Sequence, residues 1–171
     1  GVCIINLLVG MVHYHFGDAG DASVCFEAGR PYLDGVMSTW HGPMLHQYAA
    51  LAIAALAPPV GDPLWLAAEE SLEALRTLAR SGPDNFAHRV ALIEAELARV
   101  KGDEAAAREA YARAIAGAES GDWTGDIGLA HELASRAATS AESRQHHLQR
   151  AREAYQRWGA RAKVTALESA D

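Results

Sequence analysis

The chain is poor in several residue types, and each shortage removes a class of protein. It has two cysteines, Cys3 and Cys25, neither in a paired motif, so a disulfide framework or a zinc knuckle is not expected and a reducing, cytoplasmic setting is. Bases are nearly missing from the first half. Residues 1–75 carry Arg30 alone against eight acidic side chains, whereas residues 76–171 hold 14 of each sign. With a net charge of −7 and no basic face to displace counterions from phosphates, nucleic acid is not an expected partner. The opening run GVCIINLLVGMV carries no charge, but its twelve residues are too few to span a bilayer. It also lacks the basic flank and small-residue cleavage site of a signal peptide, so no membrane is expected as a partner. The run reads instead as a helix buried on most sides. Met does not open the chain, and a segment of a longer protein is expected.

What is present is alanine in quantity, with half the residues hydrophobic and apolar positions recurring at helical spacing. The reading is all-α. Breakers divide the chain into helices over about 2–16, 19–33, 43–57, 63–80, 86–101, 103–116, 126–138 and 139–158, with a last short helix over about 160–169. Pro31 should end the second early, because it lacks an amide donor. Asp62-Pro63 reads as cap and first turn, Asp103 as a cap, and Thr139 with Glu142 as a capping box. In the fifth helix Phe86, Val90, Ile93, Leu97 and Val100 form one apolar stripe.

The pentapeptide AREAY occurs twice, at 107–111 and 151–155. Its flanks also match, and the second helix of each successive pair carries a residue, +4, +7 pattern. The four sets are Ala22/Phe26/Gly29, Ala68/Leu72/Leu75, Ala107/Tyr111/Ala114 and Ala151/Tyr155/Trp158. A small residue lets two helices approach, and an aromatic fills the gap to the next pair. The fold expected is therefore one tetratricopeptide-like domain of stacked antiparallel hairpins forming a right-handed superhelix. Its hairpins fall at about 1–35, 41–81, 84–118 and 125–158. The Arg and Glu inside each AREAY are expected on the solvated side.

SGPDNFAHRVALIEAELARVKGDEAAAREAYARAIAGAES and AREAYQRWGARAKVTALE carry a resemblance to a known group. The matching residues are Pro83, Asn85, Phe86, His88, Arg89, the EAE at 94–96, Tyr111, Ala114, AHELA at 130–134 and YQRWGARAKV at 155–164, with HYHFGDAGDA and YLDGV earlier. They resemble the helical-repeat region of large bacterial signalling ATPases. Such chains join a protein-kinase-like region, a nucleotide-binding ATPase module, tetratricopeptide-like repeats, a GAF sensor and an output histidine kinase or cyclase. The resemblance implies a non-catalytic module for protein interaction and interdomain coupling. Its partners would be neighbouring domains of the parent chain or a protein or peptide. The alternative is a stand-alone adaptor binding a peptide or small ligand on its concave face.

No catalytic, metal or cofactor site is expected. His13 and His15, two apart on a helix, diverge, as do the adjacent His146 and His147, and no Cys/His/Glu set has zinc spacing. Glu94 and Glu96 face different ways on their helix, which suggests salt pairing rather than acid–base work. GDWTGDIG lacks the lysine and preceding strand of a phosphate loop. Candidate concave-face residues are Leu7, Met11, Tyr14 and His15 from the first helix and Arg89, Leu92, Glu96 and Arg99 from the fifth. Trp158 is expected to pack rather than to contact a ligand, and the apolar first helix is expected to support a two-fold homodimer.

Overall fold

A computed structural model describes residues 1–36 and 39–169. Among them are nine α-helices, one 3₁₀ segment and no strand, so the all-α reading is correct. The helices are α1 (Val2–His15), α2 (Ala19–Gly29), α3 (His41–Leu56), α4 (Pro63–Ser81), α5 (Pro83–Lys101), α6 (Glu104–Ser120), α7 (Thr124–Arg136), α8 (Ala141–Trp158) and α9 (Arg161–Ser169), with the 3₁₀ run Arg30–Val36 after α2. The chain forms two compact units, Gly1–Leu78 and Ala79–Asp171.

The helix limits follow from local chemistry. Asp18 and Asp103 accept from the amides of Asp21 and Ala106, and thereby cap α2 and α6. The backbone amide of Leu64 donates to Asp62 at 2.8 Å, as the Asp-Pro start of α4 requires. Three limits and one cap differ from expectation: α3 begins at His41 rather than 43, α5 begins at Pro83 rather than 86, and α6 runs on to Ser120 rather than 116. Ser140, not Thr139, accepts from the Ser143 amide and starts α8, because Ser140 holds the extended backbone that lets its hydroxyl reach back over the first turn. α2 ends at Gly29, just ahead of Pro31, and the chain tightens into the 3₁₀ run.

Within the first unit α1 packs on α2 and α3. α3 is buried almost all round, from Gln47 to Ala54 without a break. α4 buries the face made by Trp65, Ala68, Leu72 and Leu75. In the second unit α5 pairs with α6 and α7 with α8; α6 also meets α7, and α9 folds back on α8. That last contact joins Leu148, Ala151 and Tyr155 of α8 to Leu167, with Ala160 and Val164 beside them. α5 is buried from His88 to Leu97 except at Glu94, so it lies deeper than a single apolar stripe would place it.

The first helix departs from expectation. It buries only Cys3, Leu7, Gly10 and Tyr14, while Val2, Ile5, Leu8, Val9, Val12 and Phe16 are exposed. Its neighbours α2, α3 and the 3₁₀ run cover one side, and hydrophobicity by itself supplies no cover for the other.

All the repeat positions in the second helices are buried except Trp158. The reason for small residues opposite the aromatics is visible in two hairpins. A Cβ on Gly10 of α1 would fall 2.5 Å from the ring of Phe26 on α2. A Cβ on Gly128 of α7 would fall 2.7 Å from the ring of Tyr155 on α8. Both distances are shorter than a carbon–carbon contact allows, so only glycine lets each ring lie flat on the facing helix.

Candidate functional site

The polar chemistry of the molecule is concentrated in the second unit. Among the described residues, the first unit buries Ser23, Gln47 and Ser71, none of which carries a charge. The second buries His88, Arg89, Glu96, Asp126, His131, Glu132 and Lys163. A buried charge is tolerated only when paired and hydrogen-bonded, and all of these residues but His131 fall into three such groups.

The first lies between α5 and α6. Glu96 points inward from α5 and accepts the phenolic proton of Tyr111 on α6; Arg99, one turn on, closes on Glu96 Oε2 at 2.8 Å. Burial, reinforced by the negative charge of Glu96, pushes the Tyr111 hydroxyl well above its ordinary range, so it stays protonated as a donor. The hydrogen bond to Glu96 likewise holds the Arg99 guanidinium in its charged form.

The second group repeats the first one hairpin later. Glu132 of α7 accepts from the Tyr155 hydroxyl of α8 at 2.8 Å. Its other oxygen takes Lys163 Nζ of α9 at 2.9 Å and Arg136 Nη2 at 2.8 Å. The tyrosine in each copy of AREAY thus donates to a buried glutamate on the preceding helix, 15 residues back in one case and 23 in the other. Of the remaining letters, Ala107 and Ala151 are buried and Arg108, Glu109 and Glu153 are exposed as expected, while Arg152 is half-buried rather than solvated.

The third group joins α5 to the start of α7. Asp126, in the first turn of α7 where the helix dipole favours a negative charge, takes His88 Nε2 at 3.0 Å and Arg89 Nη2 at 2.7 Å. The Trp123 ring stacks near-parallel to His88, and the Arg89 guanidinium lies 5.7 Å from its centroid.

At the outer edge of the same unit His131 of α7 meets His147 of α8, Nδ1 to Nδ1 at 2.9 Å. His131 Nε2 stands 3.7 Å from Glu119 Oε1, and Arg150 holds that carboxylate at 2.7 Å. Burial, and then the neighbouring His147, lowers the His131 pKa to about 4. Beside this chain lies a cavity of about 290 Å³, with Ile127 and Ala154 as apolar lining and Glu119, Asp122, Arg150, Glu153 and Arg157 around it. Arg150 bridges Glu119 and Glu153, and Arg157 reaches Asp122 at 2.6 Å.

The sequence-predicted candidates divide between the two units. In the first, Leu7 and Tyr14 are buried and Met11 is half-buried, while His15 is held by Tyr48 at 2.9 Å. In the second, Arg89, Leu92 and Glu96 are buried and Arg99 is partly exposed, with Arg89 and Glu96 joined to the ion pairs above. Glu96 pairs with Arg99 within α5, as expected, whereas Glu94 reaches across to Arg113 of α6 at 3.1 Å. Trp158 is 49% exposed, one ring face lying over Gly125. Asp126, Glu132, Lys163 and the His131–His147 contact are not marked by residue pattern, because their partners on other helices are 16 to 38 positions away. One signal was available. A tyrosine in a slot that buries must find an acceptor, and an acidic residue on the preceding helix supplies it.

One group among the described residues, His13, Asp18 and Asp21, brings three potential metal-ligand atoms within 4.8 Å of one another. Its geometry is already accounted for by the α2 cap and by the 3.2 Å contact between His13 and Asp18. No helix among the described residues is long and apolar enough to cross a membrane. Comparison with protein-family models, with curated proteins and with solved structures finds no match.

Proposed function

We propose that this chain is a tetratricopeptide-like interaction and coupling module of a multidomain signalling ATPase, and that it is not itself an enzyme. The observation that carries the reading is the repeated pairing of Tyr111 with Glu96 and of Tyr155 with Glu132. Two hairpins of one chain reuse the same buried contact, which is how a helical array extends itself by nearest-neighbour interfaces. The carboxylates of Glu96, Asp126 and Glu132 are each buried against their own cations, an arrangement suited to holding helices in register rather than to moving protons. The charge-balanced second unit and the acidic, apolar first unit suit contact with protein rather than with phosphate backbones.

Reading the encoding gene in full, then measuring binding of this chain to the purified neighbouring domains, tests the proposal. A nucleotide-binding module in the same polypeptide and an association that changes between ATP and ADP are expected. A reading frame without such a module, or an association indifferent to nucleotide, overturns it. The stand-alone adaptor reading is favoured by one observation, the 290 Å³ cavity lined mostly by charged side chains of both signs, with Ile127 and Ala154 as its apolar part. It predicts that Arg157→Ala and Ile127→Ala abolish capture of a peptide that binds the intact chain.

A further inference from the structure

We propose that the outer face of α1 is a self-complementary docking surface whose occupant is α1 of a second copy, packed antiparallel about a two-fold axis through Val9. This inference is independent of the coupling reading and can fail without it.

The helix has two apolar stripes. Cys3, Leu7, Gly10 and Tyr14 face the chain's own α2 and α3. Val2, Ile5, Val9, Val12 and, at the C-cap, Phe16 follow one another at alternating steps of three and four residues and are between 43% and 64% exposed. At 3.6 residues per turn this second stripe lies opposite the first, and its step pattern is the seam by which one helix receives another. Read backwards, the seam nearly matches itself. A two-fold axis at Val9 sets Val9 against its own copy and the small Val2 against the large Phe16, with Ile5 one residue out of line with Val12.

Charge selects the direction. α1 contains no Asp, Glu, Lys or Arg, so nothing along the seam opposes a like partner. Asp18 and Asp21 lie just beyond its C-terminal end. Parallel pairing would bring both copies of this acidic end together, whereas antiparallel pairing sets them at opposite ends and aligns the helix dipoles favourably. Because α1 is already folded against α2 and α3, the encounter costs no helix nucleation. A stripe of this length offers a few hundred Å² per copy, less than a standard interface, so the dimer is concentration-dependent rather than obligate.

Sedimentation velocity over a concentration series is the first measurement. The chain should pass from monomer to dimer in the micromolar range, and Val9→Asp should raise the dissociation constant more than about tenfold with helix content unchanged. The register is tested by oxidation in a Cys25→Ser background, where Cys3 stays buried on the opposite face. Val9→Cys should cross-link to itself. Val2→Cys should not, but should cross-link to Phe16→Cys when the two are mixed. A wild-type chain that remains monomeric at every concentration overturns the proposal and leaves the face to a helix of another protein. Self-cross-linking of Val2→Cys as fast as Val9→Cys overturns the antiparallel register.

Discussion

α1 and α7 invert the usual relation between hydrophobicity and burial. α1 is nearly all apolar, yet only four of its residues are buried. α7 contains Asp126, His131, Glu132 and Ser135, yet every residue from 126 to 135 is buried. The difference is in the neighbours. α7 lies against α6 and α8, touches α5, and its Glu132 meets Lys163 of α9. The neighbours of α1 cover one stripe only. Burial is therefore set by whether the surrounding elements close on one side of a helix or on all of it, and a polar helix reaches the interior when its partners bring the matching charges. The first unit is held by apolar contacts such as Phe26 on Gly10; the second adds a buried network of ion pairs to the same hairpin geometry.

The largest expected effect tests that network. Glu132→Ala leaves Lys163 buried without its carboxylate and removes the Tyr155 acceptor, so it should cost about 3–5 kcal/mol, read as a lowered denaturant midpoint. A loss below about 1 kcal/mol would show that the network contributes little beyond apolar packing.

The next concerns pH. His131 has a folded pKa of about 4 against an ordinary value of 6.5, because burial disfavours its charged form. Its neutral form is the one the fold accepts, so the stability it permits is complete above pH 6.5 and is lost as pH falls toward 4. At 1.36 kcal/mol per unit the loss amounts to about 3 kcal/mol. Denaturant titrations at pH 7 and pH 5 should show a decline that His131→Gln flattens. An equal decline in that variant places the sensitive group elsewhere.

Gly10→Ala and Gly128→Ala probe what the units share. Each pushes a methyl group into an aromatic ring and should cost about 1–3 kcal/mol, by similar amounts. A neutral result at one and a large one at the other would break the equivalence of the two hairpins. The smallest effect is expected at Trp158. With half its surface in solvent, Trp158→Ala should cost less than about 2 kcal/mol in thermal unfolding, below the 3–5 of a fully buried aromatic.

Much of the secondary structure was legible because it depends on near neighbours. The Asp62-Pro63 start of α4, the Asp103 cap of α6 and the early stop before Pro31 act within one turn, and each is where local rules place it. Thr139 and Ser140 show the limit of such rules. Two hydroxyl residues stand side by side, and backbone torsion rather than residue type chooses between them. The repeat positions were legible too, since a small-residue and aromatic pattern at +4 and +7 reports packing directly; only Trp158, with Gly125 beneath one face and solvent over the other, is not enclosed.

The sequence by itself determined the helices, their limits to within a few residues, and the slots that bury an alanine and an aromatic in α2, α6 and α8, because these follow from backbone sterics and from periodicity along one chain. The tertiary structure decided which charges meet. Glu132 finds Lys163 31 positions ahead, and His131 finds His147 across a hairpin. It also decided that the apolar α1 keeps one face in solvent. Contacts between helices depend on rotation and neighbour number, and no local pattern encodes either quantity.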